Sequence, residues 1–473
     1  MDFDYLILGN SAAGVSAAEA IRACRPQDTI AIASPEPHPA YGRPLISYLL
    51  EGKTSLDRIG YKDPAFYDRM RIATLLGEGY EAVSIDAEGH RVAFSNGESV
   101  GYGRCLIATG SIPFTPPIDG LDQAANATPF LTLDDALKAQ QLAEDARRAA
   151  SAAGRKSRAL VIGAGLIGLK AAEALSHLVD QVLVLELAPR ILPAVLDAEA
   201  ARLLQDHLAA HGIECRPGIS AQRIVVEDGA ATAAVLTDGS VEPCDLIVKA
   251  VGVRPNTSFA VASGAAQGRG LVCGPDLQTS LPDVYAAGDV VQVRDSLDGS
   301  KRPQALWPNA VRQGMLAGRH MADDPEAEPF EGSFAVNAVD FFDDSLLTAG
   351  VINPPEDDEG ISCDVQVDEQ KGSYAKFVVR DGALVGYILL NRPENAGIYT
   401  SLIENRTLLN GLDPAMFEAA PLNRGFDDDM RWDRLHACYP GRLDKRGFEK
   451  PVDGRPDPAD SAPMTDQTRK ERS

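Results

Sequence analysis

Two segments of the chain repeat one pattern: an apolar strand, a glycine-rich turn, an alanine-rich helix and a second strand. The first pattern has its strand at residues 5–8 and its turn at 9–14, and the second has them at 159–162 and 163–168. A strand, a crossover helix and a parallel strand form a βαβ unit, and such a unit binds a dinucleotide at its turn. Two units predict an α/β protein with two Rossmann-like, three-layer dinucleotide-binding domains. Outside the two units, composition and periodicity predict a helix at 133–150, short strands in 223–253 with turns at Asp228-Gly229 and Asp238-Gly239, strands in 334–350 and 376–390, and a helix at 398–409.

The second turn reads GAGLIG and follows its strand directly. Pyrophosphate needs backbone N–H groups, the positive end of a helix and glycines that allow close approach. In this strand–turn–helix context the GxGxxG pattern is specific. We predict that a dinucleotide contacts Gly163, Gly165, Leu166, Ile167 and Gly168.

The strand after this helix ends in Glu186, eighteen residues beyond Gly168. A carboxylate there can accept hydrogen bonds from the ribose hydroxyls of adenosine, and it would repel a 2′-phosphate. The first arginine that follows is Arg190. The sequence therefore favours NADH over NADPH.

The first turn reads GNSAAG, with Ser11 in place of the middle glycine. Serine is small enough for close approach, so we predict cofactor contacts at Gly9, Ser11, Ala12, Ala13 and Gly14. No acidic residue ends the next strand directly, because Ser34 and Pro35 precede Glu36. Glu36 is either a ribose ligand or a surface carboxylate.

Five further segments match a known family in order. They are PAYGRPLIS at 39–47, LIATGS at 106–111, AVGVRPN at 250–256, TSLPDVYAAGD at 279–289 and LWPNA at 306–310, followed by Gln313 and Gly314. Together with the two turns they resemble the FAD/NAD(P)-dependent pyridine nucleotide reductases over residues 3–415. Within this family, the motifs most resemble those of rubredoxin reductases, NADH oxidases and the flavin portion of NAD(P)H nitrite reductases.

This resemblance implies a glutathione-reductase-like architecture. An FAD-binding domain would comprise residues 1–115 and 256–330, interrupted by an NAD(P)-binding domain at 116–255. Residues 331–415 would form a C-terminal α+β interface domain that pairs with a second copy in a homodimer. Residues 416–473 are rich in charge, proline and glycine, which is typical of an extended or disordered tail.

The resemblance also implies roles for individual residues. Asp289 would bind the ribityl chain, Gly288 would let the backbone approach the pyrophosphate, and Arg43 would neutralise FAD phosphate unless it is a surface arginine. Gly252 would lie near the nicotinamide, and Trp307 would either line the isoalloxazine or belong to the core, as would Tyr41. Further FAD contacts are implied for Pro44, Ala82, Ala108, Thr109, Gly110 and Ala310.

Two departures from the family bear on chemistry. Residues 38–50 contain no cysteine where disulfide reductases carry a redox thiol, so thiolate chemistry at the flavin is not expected. Related enzymes place a lysine near the flavin, paired with a glutamate, at positions that here are Tyr48 and Lys170. We hypothesise that Lys170 is a catalytic residue near flavin N5 that favours the anionic reduced flavin. The alternative is a lysine that reaches into solvent.

The composition of the chain argues against several classes of binding partner. A net charge of -23 disfavours nucleic acid and anionic membranes, and no stretch reaches the roughly 18 apolar residues of a membrane helix. Seven dispersed cysteines indicate reduced thiols in the cytoplasm. The histidines are interpreted as scattered, with no metal-ligand spacing, so no metal is expected.

Three functions remain open at this point. The first is an NADH:acceptor reductase that uses FAD and passes electrons to a small iron–sulfur or rubredoxin-like protein. The second is an NADH oxidase that reduces O2 to H2O2. The third is a non-catalytic, redox-sensing flavoprotein subunit. Reduction of the flavin by NADH and the response of turnover to carrier proteins would distinguish them.

Overall fold

A computed structural model of the chain describes residues 1–355, 358 and 360–411. The described strands are β1 (Asp2–Leu8), β2 (Ile30–Ser34), β3 (Ile72–Leu76), β4 (Ala82–Asp86), β5 (Arg91–Phe94), β6 (Ser99–Ile107), β7 (Ser111–Pro113), β8 (Ala127–Pro129), β9 (Arg158–Ile162), β10 (Gln181–Glu186), β11 (Ile213–Pro217), β12 (Ala221–Glu227), β13 (Ala230–Leu236), β14 (Val241–Pro243), β15 (Leu246–Lys249), β16 (Val253–Pro255), β17 (Val284–Ala286), β18 (Gln292–Arg294), β19 (Lys301–Pro303), β20 (Val336–Phe341), β21 (Asp344–Gly350), β22 (Ile361–Asp368), β23 (Ser373–Arg380) and β24 (Ala383–Leu390).

The described helices are α1 (Ala12–Cys24), α2 (Ile46–Leu50), α3 (Phe66–Met70), α4 (Leu133–Ala152), α5 (Leu166–Ser176), α6 (Ala198–Ala210), α7 (Ser258–Ala262), α8 (Trp307–Met321) and α9 (Ala396–Glu404). Both βαβ units are present as predicted, because β1–α1–β2 and β9–α5–β10 each join two parallel strands. Among the described residues, none of these helices has both the length and the apolar character needed to cross a bilayer.

The first dinucleotide sheet has the strand order β3-β2-β1-β6-β5-β4, with β17 also paired to β6. Strands β1, β2, β3, β6 and β17 are mutually parallel, whereas β5 pairs antiparallel with the first residues of β6, and β4 pairs antiparallel with β5. The β17 strand comes from residues beyond the second sheet. This sheet is therefore built from two separated parts of the chain, as the resemblance implies.

The second dinucleotide sheet is parallel throughout, with the order β11-β10-β9-β15-β8. A small antiparallel sheet, β12-β13-β14, follows β11, and the turns at Asp228-Gly229 and Asp238-Gly239 lie where the sequence predicts them. The β7–β16 ribbon pairs Ser111–Pro113 with Val253–Pro255, where the chain crosses into and out of this part of the molecule.

The C-terminal sheet has the order β20-β21-β24-β23-β22. Its residues Phe341, Leu346, Tyr374 and Ile388 belong to the same buried apolar cluster as α4, α5, α6 and β9. The overall class is thus α/β, with two dinucleotide-binding folds and a C-terminal α+β part. The exact domain boundaries stay a prediction.

By compactness the chain divides into two units: Met1–Arg380 with Val385–Pro393, and Asp381–Leu384 with the chain from Glu394 onward. Within the second unit, α9 covers Ala396–Glu404, and Leu408 forms an isolated bridge with Ala383. The predicted tail at 416–473 lies outside the described residues.

Candidate functional site

The two glycine turns have the same construction. Gly9 and Gly163 open the turns with φ of 126° and 106°, a region that favours glycine. A Cβ on Gly9 would lie 2.0 Å from the carbonyl oxygen of Ala108, and one on Gly163 would lie 2.3 Å from that of Ala250. In both turns the first glycine therefore lets the chain pass against a neighbouring strand end.

The last glycine of each turn serves close packing. A Cβ on Gly14 or Gly168 would lie 2.0 Å from the carbonyl oxygen of Gly9 or Gly163, respectively. The middle position makes no such demand, since Ser11 has φ of -136° and Gly165 has φ of -76° with open space around it. This explains why serine can replace the middle glycine of the first turn.

Each turn ends in a helix whose first N–H groups are available to an anion. The first bonds back from the helix body run from Val15 N–H to the Ser11 carbonyl and from Leu169 N–H to the Gly165 carbonyl. The preceding N–H groups of each helix have no partner among the described residues; they belong to Ala12, Ala13 and Gly14, and to Leu166, Ile167 and Gly168. Such orphan donors at the positive end of a helix dipole fit a pyrophosphate.

The first turn meets the segment around Asp289. A Cβ on Gly288, which has φ of 82°, would lie 3.2 Å from Cβ of Ala13 and 3.7 Å from that of Ala310. The N–H of Gly288 donates to Oε1 of the buried Gln313 at 2.8 Å. The structure thus brings predicted contacts from the turn, from Gly288 and from α8 into one cradle, which is narrow enough to require glycine.

Asp289 is anchored beside this cradle. Its Oδ2 accepts a hydrogen bond from the Ser111 hydroxyl at 2.9 Å. Burial raises the pKa of Asp289, while the Ser111 hydrogen bond and the positive charge of Arg43 oppose that rise. The second carboxylate oxygen stays available for a ligand hydroxyl, which suits the predicted bond to a ribityl chain.

The segment 108–110 completes the first cradle. Ala108 is buried against Gly9, and the Thr109 hydroxyl donates to the carbonyl of Asn256 at 2.7 Å. Gly110 has φ of 67° and leads into the β7–β16 ribbon. Gly252, with φ of 111°, precedes the other strand of this ribbon and accepts from Phe114 N–H.

Glu36 and Arg43 form an ion pair rather than two separate contacts. Nη2 of Arg43 lies 2.5 Å from Oε1 of Glu36, and the Tyr41 hydroxyl donates to Oε2 at 2.6 Å. Tyr41 also accepts from Leu133 N–H at 2.9 Å and is buried, so it is part of the core. Neither Glu36 nor Arg43 is a plain surface charge. Their predicted roles at ribose and phosphate stay predictions, as does that of Pro44 beside them.

Two predicted contacts are less central. Trp307 begins α8 and packs edge-to-face on Tyr61, with ring centroids 5.0 Å apart, and its side chain is half-buried. Ala82 begins β4, which is separated from β1 by β6 and β5 in the strand order. The structure does not place Ala82 among the residues of the first turn.

Glu186 lies at the tip of β10, beside the second turn. Its Oε2 accepts from Ala164 N–H and its Oε1 from Ala188 N–H, both at 2.8 Å. These bonds fix the carboxylate next to Gly163 and Gly165. Each oxygen can still accept a second hydrogen bond.

Lys170 and Tyr48 come together as the sequence comparison suggested. Nζ of Lys170 lies 4.9 Å from the centre of the Tyr48 ring, 2.5 Å from Oε2 of Glu173 and 3.4 Å from Oε1 of Glu51. The Lys170 side chain is only 12% exposed, so the alternative of a lysine reaching into solvent is wrong. Its role near flavin N5 stays a prediction.

Four of the six described thiols are unsuited to a redox relay. Burial raises the pKa of Cys215, Cys244 and Cys273 to about 12, and it also raises the pKa of the fully buried Cys105. These thiols are therefore protonated at neutral pH and poor nucleophiles.

The prediction that no metal binds rested on a wrong premise about the spacing of the histidines. The histidines are not all scattered, because His207 and His211 lie four residues apart at the end of α6 and face Asp343. The H-x₃-H spacing was visible in the sequence, but the third group comes from a turn more than a hundred residues away.

Sequence reasoning also missed two positioning residues, Ser111 and Gln313. Both lie within the recognised motifs, and their neighbours were assigned roles. Ser111 orients Asp289 and Gln313 holds the Gly288 backbone, and both contacts join distant parts of the chain.

Comparisons with known proteins agree with this site. The family described as pyridine nucleotide-disulphide oxidoreductase matches residues 3–314. A curated relative, the NADH-dependent phenylglyoxylate dehydrogenase subunit epsilon of Aromatoleum evansii, is 31% identical over 89% of this chain and 96% of its own length. The nitrite reductase [NAD(P)H] of Bacillus subtilis is 32% identical over 84% of this chain, which spans only 47% of that protein.

A solved structure is similar over most of the chain. The ferredoxin reductase for the CYP199A2 system from Rhodopseudomonas palustris is 27% identical with a TM-score of 0.72. The match covers 82% of this chain and 91% of that protein. Both dinucleotide turns fall within the residues that match the family.

Proposed function

The chain belongs to the pyridine nucleotide-disulphide oxidoreductase family, and from this premise we propose that it oxidises NADH and passes the electrons to a separate, small electron-carrier protein. It is an FAD-dependent NAD(P)H oxidoreductase. The preference for NADH and the iron–sulfur or rubredoxin-like nature of the acceptor are our proposals. We propose in addition that it acts in the cytoplasm as a homodimer through residues 331–415.

The paired cradles carry the proposal. One has Gly9, Gly14 and Gly288 at its narrow points, and the other has Gly163 and Gly168. Bound FAD accepts a hydride as an electron pair and can release electrons singly. The task left to the protein is to bind and orient both dinucleotides, and the two helix N-termini with Asp289 and Glu186 suit that task.

The lack of sulfur in the sequence at 38–50, together with the raised pKa values of the buried Cys215 and Cys273 thiols, supports a separate acceptor. Electrons that cannot pass through a nearby thiolate leave directly from the flavin edge. Two relatives support a protein acceptor by name, since one is a subunit of a larger NADH-dependent dehydrogenase and the other a ferredoxin reductase.

Lys170 contributes a positive charge at the junction of α2 and α5. We propose that its ammonium group stabilises negative charge that develops at the flavin ring. Tyr48 and the Asp340 carbonyl, which accepts from Nζ at 3.1 Å, hold the ammonium in place.

Stopped-flow spectroscopy of the FAD-bound protein tests the proposal. We expect NADH to bleach the flavin band near 450 nm rapidly, and NADPH to do so much more slowly. In steady state, a [2Fe–2S] ferredoxin or a rubredoxin should accelerate NADH oxidation well above the rate in air alone.

Two outcomes would overturn it. Fast O2 uptake with stoichiometric H2O2, unaffected by any carrier, would identify an NADH oxidase. A flavin that NADH does not bleach would identify a non-catalytic flavoprotein subunit.

A further inference from the structure

A cluster of metal-ligating side chains lies outside the dinucleotide cradles. His207 is in the last turn of α6 and His211 caps its C-terminal end, so both rings project from one face of the helix. This face meets the turn between β20 and β21, which carries Asp343, and the first residue of β21, Asp344.

The atoms that could bind an ion already face one another. Nε2 of His207 lies 3.2 Å from Oδ1 of Asp343, and Nε2 of His211 lies 3.9 Å from the same oxygen. One ligand atom from each of the three residues lies within 4.8 Å of the others. In a tetrahedral zinc site with bonds of 2.0–2.1 Å, ligand atoms are about 3.3 Å apart. The two distances to Asp343 are therefore within an ångström of the spacing that a zinc site requires.

The other nitrogen of each ring lies within 3.3 Å of an oxygen acceptor. Nδ1 of His211 lies 3.0 Å from the carbonyl oxygen of His207, which can only accept, so this nitrogen carries a proton. Nδ1 of His207 lies 3.3 Å from Oδ2 of Asp344, whose Oδ1 accepts from the Asn391 amide at 2.6 Å. When each neutral ring carries its proton on Nδ1, the lone pair on Nε2 is free to bind an ion. Carboxylate–histidine–metal arrangements use the same device to fix the tautomer of a ligand.

The Nε2 atom of His207 has an unusual environment. It is buried and has no hydrogen-bond partner among the described residues, although Asp343 Oδ1 is within reach. Since the distance permits a hydrogen bond, the carboxylate must lie off the direction of a ring N–H. Two ligands of one ion have this relation, because the ion and not the second ligand lies along the lone pair.

Surrounding groups favour a cation at this point. The C-terminal end of α6 carries the negative end of the helix dipole, and Asp343 and Asp344 add two carboxylates. The ring of His211 stacks on Phe342, with centroids 4.1 Å apart and planes 14° apart, which fixes its orientation. A pair of protonated rings would place two positive charges with ring centroids only 4.4 Å apart.

We propose that His207, His211 and Asp343 bind one divalent first-row transition-metal ion, with Asp344 as a positioning residue. Two imidazoles and one carboxylate suit Zn²⁺, Ni²⁺ or Cu²⁺ and not Mg²⁺ or Ca²⁺, which prefer oxygen ligands throughout. Three protein ligands leave a fourth position for water. The ion ties the end of α6 to the β20–β21 turn.

Metal titration of the full-length, FAD-bound protein tests this site. After treatment with a chelator, Zn²⁺ is titrated by calorimetry, and Co²⁺ is titrated while its visible absorption is followed. We expect one ion per chain and a Co²⁺ spectrum of low coordination number. Zn²⁺ should also raise the melting temperature.

The variants are chosen for exposed positions. Asp343→Asn lies in an exposed turn and His211→Gln is partly exposed, so both should fold, as flavin content will show. Each should weaken Zn²⁺ binding by at least about 100-fold, and Asp344→Asn by about 10- to 100-fold, as for other outer-shell partners. His177→Gln is the matched control, because His177 lies near Phe342 without belonging to the trio.

Two results would overturn the proposal. One is wild-type protein that binds Zn²⁺ no more tightly than Asp343→Asn and His211→Gln do. The other is loss of binding in His177→Gln to the same degree as in His211→Gln.

Discussion

Glu186 is the side chain to which we assign the proposed preference for NADH. Its two oxygens accept hydrogen bonds from the Ala164 and Ala188 N–H groups, which fix the orientation of the carboxylate. Glu186→Gln removes the charge and replaces one acceptor with a donor. We expect kcat/KM for NADH to fall about 10-fold, since a hydrogen bond to a charged group contributes about 1.5–3 kcal/mol. The ratio of kcat/KM for NADH to kcat/KM for NADPH should fall as well.

Steady-state kinetics with both nucleotides measures the change in ratio. Glu214→Gln makes the same charge change on the neighbouring strand β11, where Glu214 is opposite Leu183. It should leave the ratio unaltered. An unchanged ratio in Glu186→Gln would remove Glu186 from nucleotide selection.

Lys170 and Lys53 offer a second matched pair at this scale. Both ammonium groups pair with Glu51 and Glu173, whose side chains are 0% and 1% exposed, but Lys53 is 49% exposed and Lys170 12%. Lys170→Met should slow flavin reduction by NADH and lower the flavin midpoint potential, because a fixed positive charge is lost. Lys53→Met should alter neither.

Stopped-flow traces and redox titration provide the readouts, and chemical denaturation of both variants separates loss of stability from loss of function. Removing one partner of a buried ion pair typically lowers the free energy of unfolding by about 3 kcal/mol or more. Equal flavin kinetics in wild type and Lys170→Met would end the catalytic interpretation.

The residues that sequence reasoning identified are those whose role is local. Gly9, Gly14, Gly163 and Gly168 are recognisable because a turn between strand and helix imposes its own backbone requirements. Ser111 and Gln313 escaped because their partners, Asp289 and Gly288, are distant in the chain. The Glu36–Arg43 ion pair was also missed, although its partners are close, because nothing in the residue types indicates that the two charges meet.

Among the elements, α6 is joined to the C-terminal sheet by Asp197. This residue caps α6 through Ala200 N–H and accepts from Tyr374 and Lys376 on β23 at 2.5 and 3.1 Å. Burial alone raises the pKa of Asp197, but the bonds from Tyr374, Ala200 and Lys376 outweigh it and hold the pKa below 3.8. The charged form is therefore stabilised by folding.

A carboxyl with a depressed pKa contributes stability above its unfolded pKa, and the contribution is lost as pH falls through the folded value. Asp197→Asn should lower the free energy of unfolding by about 1–3 kcal/mol at neutral pH. The difference from wild type should shrink as pH drops through and below 3.8.

Urea denaturation at several pH values measures the effect. Asp206→Asn on the same helix, where Asp206 is 65% exposed, should stay within about 0.5 kcal/mol of wild type. A pH-independent difference for Asp197→Asn would contradict the electrostatic explanation.

Element prediction succeeded where one face is apolar. The helix predicted at 133–150 is α4, and the strands expected in 334–350 and 376–390 are β20, β21, most of β23 and β24. Strand β22 was missed because most of its side chains are exposed, which leaves no alternation of buried and exposed positions to recognise. The helix predicted at 398–409 instead ends at Glu404, since Arg406 has a positive φ of 48°.

At the scale of the whole molecule, the first dinucleotide sheet is built from two separated parts of the chain, and we expect bound FAD to stabilise it. Helices α1 and α8 cross closely, because a Cβ on Gly314 would lie 2.1 Å from the carbonyl oxygen of Ala13. Since Ala13 also lies in the glycine turn, bound FAD should stabilise this crossing.

Removal of FAD by dialysis against a chaotropic salt should lower the melting temperature. At a flavin concentration 100 times Kd, binding adds about 2.7 kcal/mol to the free energy of unfolding. Circular dichroism at 222 nm follows the unfolding transition. Addition of FAD, but not of AMP, should restore the original melting temperature. Identical melting curves for the apo and reconstituted protein would contradict a cofactor-dependent core.

The place of β17 in the first sheet has a consequence for biosynthesis. When the ribosome has released residues up to 249, the second sheet has all its strands, yet the edge of β6 at Cys105–Ile107 is still bare. Only after residues 284–321 emerge can β17 cover that edge and α8 close over α1. Flavin loading must therefore come late in translation, and a nascent chain that stalls earlier exposes an unpaired strand to its neighbours.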